Sequence, residues 1–105
     1  MIITRRAILA ILTTFAARPA WAHSWYSSYC CNGKDCAPIP PEKVRAVAGG
    51  FAVVLNPGDH PQVTEHQQFF IPYRDVILSQ DDQYHICLYP TQHDMRCFYA
   101  PANGV

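Results

Sequence analysis

Apolar positions fall into three regimes along this 105-residue chain. Ala7 to Ala17 is an almost unbroken apolar run, His23 to Pro41 mixes aromatics, cysteines and prolines without any period, and from Lys43 onward short β-prone runs alternate with turn-forming clusters. The last regime predicts strands. Lys43 to Ala48 and Phe51 to Leu55 flank Gly49-Gly50, a two-residue hairpin signal whose glycines take positive φ at no steric cost. Asn56-Pro57-Gly58-Asp59-His60-Pro61 then marks a loop, followed by a short β-prone run from Gln68 to Ile71. Pro72 to Leu78 reads as one helical turn or a bend, which Ser79-Gln80-Asp81-Asp82 ends.

Tyr84 to Tyr89 and Met95 to Ala100 predict a second hairpin, joined through Pro90 to Asp94. Setting Cys87 opposite Cys97 centres it on Gln92, with His85 against Tyr99 and Tyr89 against Met95. Period-two alternation then sends Ile86, Leu88, Phe98 and Ala100 to a core, and His85, Cys87, Tyr89, Met95, Cys97 and Tyr99 to the opposite, semi-polar face. The segment from Trp25 to Cys36 is the obvious cover for that face. Its composition suits an irregular strap rather than a helix or a central strand. The expected fold is therefore mostly β: a small disulfide-stapled domain of two β-hairpins plus an irregular N-terminal cysteine strap.

The first regime reads as a cleavable signal peptide over residues 1–22. Arg5 and Arg6 form a positive n-region, the apolar run follows, and Ala20-Trp21-Ala22 supplies the small residues of an A-x-A site. An apolar run of about eleven residues is too short for the roughly 20 that a helical span needs, so no stable membrane insertion after cleavage is expected. The first cysteine beyond the junction is Cys30, which argues against a lipid anchor there. Thr4-Arg5-Arg6-Ala7-Ile8-Leu9 also resembles the twin-arginine export motif, so both the general secretory and the twin-arginine routes stay open. The expected location is the periplasm or the exterior.

Cleavage changes the charge and the stability problem together. Removing residues 1–22 leaves 83 residues in a single domain, 23–105, and takes away Arg5, Arg6 and Arg18. Five cations then face eight carboxylates, so the remainder is mildly acidic. It lacks the basic patch that phosphate binding requires, and nucleic acid is not an expected partner. A core of this size is marginal without cross-links, and an oxidising compartment lets cysteine supply them.

Cys30, Cys31, Cys36, Cys87 and Cys97 cannot all pair within one chain, and fifteen sets of two bridges are possible over the choices of odd residue. The preferred pattern ties one of Cys30, Cys31 and Cys36 to Cys87 or Cys97; a local alternative keeps Cys31 to Cys36 and Cys87 to Cys97 as small staples. The unpaired thiol is open to three roles: buried and inert, a link to a second subunit in a disulfide-bonded dimer, or a reactive group. Thiol–disulfide enzymes use C-x-x-C at a helix start, and zinc sites pair C-x-x-C with a second ligand pair; neither pattern is present.

After cleavage His23 would carry a free amine and an imidazole on one residue, a pair that chelates copper. Such a site resembles the histidine brace of lytic polysaccharide monooxygenases and of some periplasmic copper carriers. Its second ligand would come from His60, His66, His85 or His93, with Met95 as a soft donor to Cu(I). The plainer alternative for His23 is an ordinary terminal residue. His60 and His66 lie in polar or proline-flanked loops and read as solvated, which leaves His85 as the better metal candidate. Trp25, Tyr26 and Tyr29 are candidates for stacking on a sugar or peptide, or for packing the underside of a small core. No nucleophile with a neighbouring base, defined carboxylate pair or phosphate loop is visible, so no catalytic residue is assigned.

His23-Ser24-Trp25-Tyr26, Cys30-Cys31, Asp35-Cys36-Ala37-Pro38, His85-Ile86-Cys87 and Cys97-Phe98-Tyr99-Ala100-Pro101 together resemble a group of small exported proteins of alphaproteobacteria and their phages. The resemblance covers both ends of the mature chain. It implies export and a five-cysteine layout and adds no activity. The sequence therefore points to binding or a structural role, toward a protein or envelope component, with no cofactor required; copper binding through His23 and thiol redox activity are the alternatives.

Overall fold

A computed structural model describes residues 25–31 and 35–104. Seven strands form two sheets: β1 (Cys36–Ile39), β2 (Val44–Val47), β3 (Gly50–Leu55), β4 (Gln67–Pro72), β5 (Val76–Leu78), β6 (Tyr84–Leu88) and β7 (Met95–Ala100). The smaller sheet is the antiparallel meander β2-β3-β4; the larger has the order β1-β6-β7-β5 and is antiparallel except for the β5–β7 pair. Among the described residues the only helical pieces are single 3-10 turns such as Pro41–Lys43 and Tyr73–Asp75. The domain is mostly β, as its alternating runs predict.

Alternation explains where the core sits. On β3, Phe51, Val53 and Leu55 point inward and are fully buried or nearly so, while Ala52 and Val54 point away. They meet Ile86, Leu88, Phe98 and Ala100 of the larger sheet, with Ile39, Val63 and Ile71 closing the edges of one apolar cluster. Each fully buried large side chain contributes about 1.5–3 kcal/mol from apolar surface withdrawn from water. The opposite face of the larger sheet carries a second cluster of Cys36, Cys87, Cys97 and Tyr99, covered by Tyr26 and Cys30 from the strap. The order of layers is thus small sheet, apolar core, large sheet, strap.

Several expectations are corrected. The first hairpin turns at Ala48-Gly49, because Val47 pairs with Gly50 and Ala46 with Phe51. Gly49 has φ 85° and supplies the turn. Gly50 belongs to β3, where an added Cβ would lie 2.2 Å from the Ile71 carbonyl oxygen, so close pairing with β4 demands glycine. The strap is not irregular throughout, since Cys36–Ile39 forms an edge strand beside β6. Its Pro38 is tolerated there because an edge strand has a side that needs no ladder donor. Pro72 to Leu78 divides into the 3-10 turn and β5, which runs parallel to β7 with Val76 opposite Phe98.

In the second hairpin Cys87 pairs with Cys97 and His85 with Tyr99. A register shift at Cys87/Leu88 then sets Leu88, not Tyr89, opposite Met95. The irregularity brings Met95 against the apolar core and leaves Tyr89 40% exposed, so neither belongs to the cysteine cluster.

Candidate functional site

Two disulfides bind the strap to the hairpin: Cys30–Cys97 and Cys36–Cys87, with the half-buried Cys31 left as a free thiol. The local staples are not formed, because Cys36 lies on β1 directly opposite Cys87. Disulfides of this kind fit an oxidising, extracytoplasmic compartment. No helix among the described residues is long and apolar enough to cross a membrane.

The strap positions its aromatic residues on two different sites. Trp25 and Tyr26 enter the cysteine face, where the Trp25 ring lies 4.7 Å from Tyr26, 4.9 Å from His85 and 5.1 Å from Tyr99, centroid to centroid. His85 stands at the middle of a hydrogen-bonded line. Its Nδ1 is 2.7 Å from the Tyr26 hydroxyl and its Nε2 is 2.9 Å from Asp81 Oδ1. Asp81 Oδ1 also accepts from Ser79 Oγ at 2.8 Å and from the Gln83 backbone at 2.9 Å. Burial opposes ionisation of Asp81, but these donors outweigh it and hold its carboxyl below the usual range.

The chemistry of this line follows from its ends. Nε2–H donates to the Asp81 carboxylate, so Nδ1 is free to accept the Tyr26 proton. Burial first, then the neighbouring Cys31 and Asp81, push the Tyr26 phenol up to about 12. A phenol so protected stays protonated near neutral pH and serves as a donor, not as a nucleophile or base. The cluster locks the strap onto the sheet.

It also decides what His85 can ligate. Both of its ring nitrogens are engaged by protein groups, so it presents no free lone pair to a metal. His66 bonds Asn56, and His93 bonds Gln67 and faces Glu65, both on the exposed surface. His60 corrects the expectation of a solvated loop residue, being only 2% exposed. Its Nε2 donates to the carbonyls of Asp35 and Ile86, each at 3.1 Å, and Nδ1 accepts from the Gln62 backbone. The β3–β4 loop folds back onto the larger sheet through this imidazole, whose Nε2–H is shared between two backbone carbonyls, that of Asp35 also accepting from the Leu88 N–H at 2.9 Å. Among the described residues no three His, Cys, Asp or Glu side chains gather as a metal site. His23 and the cleavage junction lie outside the described residues.

Tyr29 goes elsewhere. Backbone bonds from Cys30 and Cys31 to the Ser27 carbonyl make a tight turn that projects it outward, 65% exposed. The Arg96 guanidinium lies 3.9 Å over its ring and donates from Nε to the Tyr29 carbonyl at 2.7 Å. Beside this stack, on the cysteine face between the strap turn and β5, is an open cleft of about 460 Å³. The Cys30–Cys97 bridge forms part of its wall, with Arg96 and Met95 on one side and Asp75 and Ile77 on the other. That volume lies within the range of small-molecule sites. Sequence reasoning missed Arg96, Asp75 and Ile77, because β5 and β7 become neighbours only through a parallel pairing of residues 22 positions apart, as in Val76 with Phe98.

Comparison with protein-family models, with curated proteins and with solved structures gives no match to this chain.

Proposed function

We propose that this chain is an exported, disulfide-stabilised binding protein of the periplasm or the cell exterior, and that its working surface is the cleft at Cys30–Cys97. One observation carries the reading: a concave site of about 460 Å³ whose strap and β7 sides are joined by a disulfide and which holds an arginine already fixed on an aromatic ring. Rigid walls reduce the ordering cost of binding. The pattern shared with small exported five-cysteine proteins supports the same placement outside the cytoplasm. The buried Asp81–His85–Tyr26 line supports a scaffold role for the strap, because its hydroxyl and imidazole are spent on each other.

Two measurements test this. Intact mass of exported protein is expected to begin at His23 and to gain four hydrogens on reduction, as two bridges require. A fully reduced chain, or one retaining residues 1–22, refutes the placement. Screening a fragment library by protein NMR is expected to shift resonances of Tyr29, Ile77, Met95 and Arg96 together; a library that moves none of them refutes the binding surface. Copper titration of the same sample separates the His23 alternative, which requires tight one-to-one binding that disappears when one alanine precedes His23.

A further inference from the structure

Asp75 and Arg96 face the same cleft with opposite charge, yet neither takes part in any of the three ion pairs among the described residues. Arg96 is held by its stack on Tyr29, by the Tyr89 ring 5.4 Å away and by its Nε bond to the Tyr29 carbonyl; among the described residues its terminal N–H groups make no ion pair, and a guanidinium fork can take a carboxylate through them. Asp75 is the last residue of the 3-10 turn Tyr73–Asp75 and is exposed, and among the described residues no side-chain hydrogen bond or ion pair neutralises it. Ile77 and Met95, both apolar, line the same cleft. The cleft therefore holds a positive and a negative group that are not paired with each other, together with apolar side chains.

We propose that the cleft binds a zwitterion, specifically a short peptide with free termini, its carboxylate on the Arg96 guanidinium, its ammonium on Asp75 and an apolar side chain over Ile77 and Met95. This rests on the reading of the cleft as the binding surface and names its ligand class. A simple anion would meet Arg96 but also the uncompensated Asp75, and a simple cation would meet the reverse. Only a ligand carrying both charges leaves neither group unpaired when water is displaced.

The experiment uses the exported, oxidised protein and three probes: the dipeptide Leu-Leu, its N-acetyl form and its C-terminal amide, titrated by calorimetry with methyl shifts of Ile77 and Met95 followed in parallel. Leu-Leu is expected to bind, and each capped form to bind at least about tenfold more weakly, the loss of one charge-assisted contact. Asp75→Asn, which removes no side-chain hydrogen bond or ion pair found among the described residues, is expected to make Leu-Leu and its N-acetyl form equivalent while preserving the preference over the amide. Arg96→Gln is expected to do the converse. Equal binding of all three probes, dependence on only one terminus, or no binding of Leu-Leu overturns the proposal. A fragment library that still shifts the cleft resonances in that case keeps the binding surface and rejects only the ligand class.

Discussion

Removing the two disulfides one at a time and then together tests how the strap is held. Cys36–Cys87 has a sequence separation of 51 and lies inside the loop closed by Cys30–Cys97, with separation 67. In the chain-entropy model either bridge alone is worth about 4 kcal/mol. They are not independent. With one in place, the other closes only the ring running through Cys30–Cys36 and Cys87–Cys97, roughly 16 residues, worth about 3 kcal/mol. Loss of one bridge should therefore cost about 3 kcal/mol and loss of both about 7 kcal/mol. A domain of this size has roughly 4–12 kcal/mol in total, so the first loss leaves a folded protein and the second leaves little. The variants are Cys30→Ala/Cys97→Ala and Cys36→Ala/Cys87→Ala, alone and combined, in a Cys31→Ala background that blocks exchange with the free thiol. Urea unfolding followed by Trp25 fluorescence reads the strap directly, since Trp25 packs on Tyr26, His85 and Tyr99. Each single-bridge loss should lower Tm by roughly 12–24 °C. A cost below about 1 kcal/mol for either bridge, or no further cost for the second, would refute the nested-loop argument.

Other substitutions probe the sheets and the buried polar groups. Gly50→Ala should cost about 1–3 kcal/mol, because its Cβ would meet the Ile71 backbone at 2.2 Å, whereas Gly49→Ala, with Phe70 Cζ at an ordinary 3.7 Å, should cost only the left-handed backbone term of about 1–2 kcal/mol and leave the β3–β4 amides protected. Hydrogen exchange decides between them: loss of β3–β4 protection in Gly49→Ala, or its retention in Gly50→Ala, contradicts the close approach. Burial holds the His60 imidazole below its usual pKa, so the native state refuses a proton that the unfolded chain accepts. Its contribution is complete above about pH 6.5 and is lost as pH falls from there through the lower folded value, with a slope of up to about 1.4 kcal/mol per pH unit. Urea midpoints of wild type and His60→Gln should converge as pH falls through that window; parallel curves would remove His60 as the cause. Tyr26→Phe leaves His85 Nδ1 without its donor and should cost about 1–3 kcal/mol, while Tyr29→Phe keeps the stack on Arg96 and should change stability by less than about 0.5 kcal/mol. Equal effects of the two on thermal melting would show that the buried line does not hold the strap.

Local pattern determined most of the strands. Alternation on Phe51 to Leu55 and on Tyr84 to Ala100 selects one face for the core, because side chains project with a period of two and a one-residue slip would expose every apolar group. The cross-strand pairs Cys87 with Cys97 and His85 with Tyr99 follow from hairpin geometry alone. So does the need for covalent support, which comes from five cysteines in a short chain with a small core. What tertiary structure decided depends on partners distant in sequence. The Gly50 position in β3 is set by the Ile71 backbone, the irregularity beside Leu88 reassigns Met95 and Tyr89, and burial of His60 depends on carbonyls of Asp35 and Ile86. Pattern cannot show a parallel neighbour, so β5 was legible only as a helical turn or a bend and the cleft lined by Asp75 and Arg96 was not legible at all. Of the aromatic candidates, Trp25 and Tyr26 are carried inward and Tyr29 outward by one tight turn at Ser27. Residue type gives each of them an apolar ring and a polar edge; only the folded strap, fixed at Cys30 and Cys36, decides which rings are packing and which faces the cleft.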